Sequence, residues 1–136
     1  MAPDARIACV SSIPQVGALT NQGTSKLALL GIADPNGAIG LGFAERASEN
    51  QGAAREAGRE AARLALTDAK RADKPDIIIV NGTFGFEEEI LAGIAEVSDG
   101  VPVIGGSAAG DLATCGWWAG CSRRSTCGKH EAPLSS

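Results

Sequence analysis

Apolar and polar positions fall into a few patterned stretches along the chain. Ile7–Val10 is a short apolar run after Arg6 and predicts a strand. Residues 11–25, SSIPQVGALTNQGTS, show neither a helical nor a strand period and predict a loop. Loops of that length inside a compact domain are uncommon and tend to carry function. Leu27–Ile32 and Ala38–Phe43 predict two strands around Asp34-Pro35-Asn36-Gly37. Pro35 presets φ there, and Asn36 and Gly37 tolerate left-handed backbone, so 27–43 predicts a β-hairpin. In its second strand Gly40 and Gly42 alternate with Ile39, Leu41 and Phe43. One face is therefore bare and open to close approach by another backbone or a ligand.

Ser48 and Gln51 fit a capping box opening a helix over about residues 50–71. Ala54, Ala57, Gly58, Ala61, Ala62, Ala65 and Ala69 give it a small-residue stripe at helical spacing, with Glu56–Arg59 and Glu60–Arg63 as solvated i,i+3 pairs. Asp76–Val80 is a continuous β-branched run, the pattern of a strand buried on both faces. Glu87–Val97 predicts a second helix with Ile90, Leu91, Ile94 and Val97 on one face, a solvated glutamate start and Gly100 as its C-terminal cap. Val101–Ile104 predicts the next strand, which makes 76–104 a βαβ unit. The predicted fold class is α/β: a β-hairpin, a helix and a βαβ unit forming a mixed, mainly parallel sheet with helices packed on it, incomplete at its C-terminal end.

Composition agrees with one domain, since the 136 residues are 44% hydrophobic and 21% charged. With 3 Phe, 2 Trp and no Tyr, the core must be aliphatic. The charge is uneven. Residues 1–112 hold nine Lys and Arg against fifteen Asp and Glu, whereas the tail sets Arg123, Arg124 and Lys129 against Glu131. An acidic body poor in aromatics argues against nucleic acid as a partner. No apolar stretch suits a membrane span and no basic, apolar leader opens the chain, so a cytoplasmic location is expected. Residues 119–136 contain no Ile, Val, Phe or Met and no period. The expected division is a domain over 1–118 and a disordered or out-of-frame tail over 119–136.

Candidate chemistry concentrates at strand ends. Asn81 and Thr83 leave the Asp76–Val80 strand, and Gly105-Gly106-Ser107, with Asp111 close behind, leave the Val101–Ile104 strand. If the two strands are parallel, these residues meet at one carboxyl end, where open α/β sheets bind ligands. Catalytic motifs fit poorly. Gly105-Gly106-Ser107-Ala108-Ala109 has Ala where a nucleophile elbow needs its last Gly, and the sole histidine, His130, lies in the tail. A hydrolase using Ser107 is thus the alternative reading, not the leading one. Cys115, Cys121, Cys127 and His130 lack the close pairs of a zinc site, and no metal or cofactor is expected.

Three stretches in this order, residues 17–45, 75–97 and 101–112, resemble the FIST domain (F-box and intracellular signal transduction), specifically its N-terminal part. The most specific pieces are Thr20-Asn21-x-Gly23-Thr24-Ser25 and Pro102-x-Ile104-Gly105-Gly106-Ser107. The resemblance implies a sensory domain of a signalling protein that binds small ligands such as amino acids and carries no catalytic machinery. It adds Asn21, Thr24 and Ser25 to the candidate ligand-binding set. A complete FIST protein continues beyond the matched stretches, so the chain is expected to be a fragment without its signalling output domain. The exposed edges of a partial sheet predict self-association.

Overall fold

The computed structural model describes residues 6–11, 30–108 and 119–121. Its elements are β1 (Ala8–Val10), α1 (Gln51–Ala69), β2 (Ile78–Gly82), α2 (Glu87–Ser98), β3 (Val103–Ser107) and β4 (Ala119–Cys121). The α/β class holds. β2 and β3 pair in parallel across α2, with Ile78 opposite Val103 and Gly82 opposite Ser107. β1 pairs antiparallel with β4, Cys9 lying opposite Gly120. β4 begins just past the boundary expected at residue 118, and the remainder of the tail lies outside the described residues.

Asn50, not Ser48, caps α1. Its backbone is extended, and its side chain accepts the Ala53 N–H at 2.8 Å while its amide donates to Ser48 Oγ at 2.7 Å. One orphan donor of the first turn is thereby satisfied. The helix ends at Ala69, where Lys70 turns left-handed with φ 54°. The anticipated small-residue stripe is the buried one: Ala54, Ala57, Gly58 and Ala62 face inward. α2 crosses α1 there with backbone against backbone. A Cβ on Gly58 would come within 3.0 Å of the Ile90 main chain, and one on Gly93 within 2.8 Å of Arg59 N. At the rim, Glu96 accepts from Arg55 at 2.6 Å and from Arg59 at 3.2 Å. These pairs are exposed, so they orient the crossing more than they stabilise it.

The expected hairpin is not formed as a ladder within residues 30–43, and Leu27–Leu29 of its first strand lie outside the described residues. Its turn does form, with the Asn36 N–H donating to Asp34 Oδ1 at 2.9 Å. The second half lies on α1 instead. A Cβ on Gly40 would sit 2.7 Å from Ala69 N, and one on Gly42 2.6 Å from Ala65 N. The bare glycine face thus meets a helix backbone rather than a neighbouring strand. The buried Asp68 carboxylate pins this arrangement, accepting from Arg6 Nε at 2.7 Å and from the Leu41 N–H at 3.0 Å.

Both parallel strands start and end later than the apolar runs suggested. Ile78 N donates to Pro102 O at 2.9 Å and Ala108 N to Gly82 O at 2.8 Å, so pairing carries through Gly105-Gly106-Ser107. These residues belong to the strand, not to a turn after it. Nor is β2 covered on both faces among the described residues. Ile78 and Val80 are half-buried, and a Cβ on Gly82 would meet Ile90 Cδ1 of α2 at 3.2 Å. On the opposite face Ile79 and Ile104, paired in register, are each 52% exposed. The β-branched pattern marks a sheet that can take a layer on either side; the described helices supply one. No helix among the described residues is long and apolar enough to cross a membrane.

Candidate functional site

The parallel register brings together the strand-end residues singled out in the sequence. Asn81 lies opposite Gly106, Gly82 opposite Ser107, and Thr83 follows directly. Asn81, Gly105 and Gly106 are exposed, while Thr83 and Ser107 are half-buried. Gly105 has φ +146°, and a Cβ there would stand 2.8 Å from the Val80 carbonyl carbon. Only glycine lets β3 approach β2 this closely in that conformation. The Thr83 hydroxyl oxygen is buried and has no hydrogen-bond partner. Asn21, Thr24, Ser25 and Asp111 lie outside the described residues.

A further side chain stands at this strand end. The Ser107 hydroxyl donates to Glu87 Oε1 at 2.6 Å, a charge-assisted bond joining the end of β3 to the first turn of α2. Ser107 holds the Glu87 carboxyl below its ordinary range, helped by backbone N–H groups of Glu87 itself, Gly85 and Phe86. The sequence pattern puts Glu87 in a solvated helix start. It is exposed, but it also closes over a helix whose N-cap, Phe86, makes no side-chain capping bond. The available signal was positional, an acid in the first turn of a helix that follows a strand end.

Next to this turn, Arg46 stacks over Phe86 with its guanidinium carbon 4.3 Å from the ring centroid. Its Nη2 donates to Glu49 at 3.0 Å, and the side chain is only 10% exposed. Nη1 is buried without a partner. Beside Phe86 lies an open hollow of about 280 Å³, lined by Gln51, Gly85, Phe86 and Glu87 to Glu89. Among the described residues no cluster of three His, Cys, Asp or Glu could hold a metal.

Chemically the strand end offers hydroxyls, an amide, exposed glycine backbone and one ionised carboxylate. That set suits polar contacts to a small molecule. A carboxylate held below its usual range is a weak base for a serine hydroxyl, which limits acyl-transfer chemistry at Ser107.

The model of the FIST N domain matches residues 1–129. The chain belongs to the FIST N domain family. It is therefore a sensory domain of the signal-transduction type. No curated protein and no solved structure matches the sequence. In this FIST N domain the glycine-rich Pro102–Ser107 stretch that carried the resemblance forms β3 with its approach, and its last residue touches Glu87.

Proposed function

We propose that this FIST N domain binds a small molecule of the amino-acid kind at the carboxyl end of β2 and β3, and that occupancy there is the signal it senses. The observation that carries the reading is the convergence of Asn81 and Thr83 with Gly105, Gly106 and Ser107 in parallel register. The buried, unpartnered Thr83 hydroxyl and the Ser107–Glu87 bond support it, since both place polar groups at the same sheet end. Asn21, Thr24, Ser25 and Asp111 join the set through the family resemblance and the strand-end argument. The protein works in the cytoplasm and passes its signal to an output partner. The exposed isoleucine face, and strand edges left unpaired among the described residues, favour self-association.

The test is a thermal-shift screen of the chain against the common amino acids and their decarboxylated and deaminated analogues. A ligand at a hundredfold excess over its Kd adds about 2.7 kcal/mol of stability, a shift of several degrees for a domain of this size. The shift should shrink in Asn81→Ala and Ser107→Ala. A screen without any shift, or one unchanged by both substitutions, overturns the assignment. The alternative hydrolase reading rests on Ser107 alone, since Glu87, held below its usual range, is a weak base. Covalent labelling by an activated-serine probe that vanishes in Ser107→Ala would favour that reading over the sensor.

A further inference from the structure

We draw no further inference here: the strongest candidate, the buried Arg46 guanidinium stacked on Phe86 beside the hollow at the start of α2, carries nothing, because its unpartnered Nη1 has no surface a ligand could reach and the hollow itself is a helix N-terminus lined by Glu87, Glu88 and Glu89 with no second observation among the described residues that points to a ligand.

Discussion

Replacing Gly93 by alanine tests the helix crossing on which the α-layer rests. Two effects oppose each other. Within α2, Gly→Ala favours the helix by about 1 kcal/mol through backbone entropy. At the crossing, the new methyl would collide with the Arg55 carbonyl oxygen and lie 2.8 Å from Arg59 N, where ordinary contact begins at 3.4 Å. The struck atoms are main chain, so no rotamer change relieves the clash, and the helices must part by more than the roughly 0.6 Å that the Arg59 N contact alone requires. A gap of that order forfeits roughly a quarter or more of each dispersion contact along the interface. Overpacking of this kind costs about 1–3 kcal/mol, and here it should exceed the propensity gain. Because every struck atom is main chain, the cost falls at the top of that range and we expect a net loss of about 2 kcal/mol, read from urea unfolding followed by far-UV circular dichroism. Gly52→Ala is the internal control. Its Cβ would meet only Asn50 Oδ1, at 3.5 Å, so that variant should be neutral or gain up to about 1 kcal/mol. A Gly93→Ala variant as stable as the parent, or more so, refutes the close crossing.

Two further expectations concern the candidate site and one the exposed face. Gly105→Ala should disrupt the β2–β3 pairing, because φ +146° is strained for alanine and the methyl would press on the Val80 main chain. A loss of about 3 kcal/mol or more in urea unfolding is expected, and an unchanged midpoint would contradict the register. Glu87 has its folded-state pKa below the ordinary value of 4.5, so its contribution is complete above that value and disappears as pH falls through the lower folded pKa. Ser107→Ala removes the largest cause of the shift. The melting-temperature gap between parent and variant should hold at neutral pH and close on acidification; a gap independent of pH would rule out the Ser107–Glu87 linkage. Light scattering should show the chain self-associating through its isoleucine face, less so in Ile79→Lys and Ile104→Lys, and a monomeric parent would remove that expectation.

The order of the central elements was legible in the sequence because each announces itself by period. Alanine recurring at helical spacing gives α1, and β-branched runs flanking an amphipathic stretch give β2, α2 and β3. What escaped depends on tertiary contact. The Gly40–Gly42 alternation reads as a strand, yet glycine spacing alone does not say whether the neighbouring backbone belongs to a sheet or a helix. Asp68, at the end of the alanine stripe, supplies the decision by holding the Leu41 N–H and Arg6. Strand ends were misplaced for a similar reason. Gly105 and Gly106 lack side chains to announce burial or pairing, and only the ladder from Ile78 to Gly82 reveals that β3 continues through them. At the site, Asn81, Thr83 and Ser107 could be grouped by assuming parallel strands. Glu87 could not, since its partner lies twenty residues away across the crossover.

The Gly58 and Gly93 contacts also bear on how a movement at the start of α2 would travel. Where side chains fill an interface, one helix can slip on another by exchanging rotamers. Here main chain rests on main chain, so the two helices lack that soft degree of freedom. Ser107 grips the first turn of α2 at one end, and the Arg55–Glu96 pair ties the other end back to α1. A displacement of the first turn of α2 would therefore carry α1 with it instead of being taken up by side chains at the crossing.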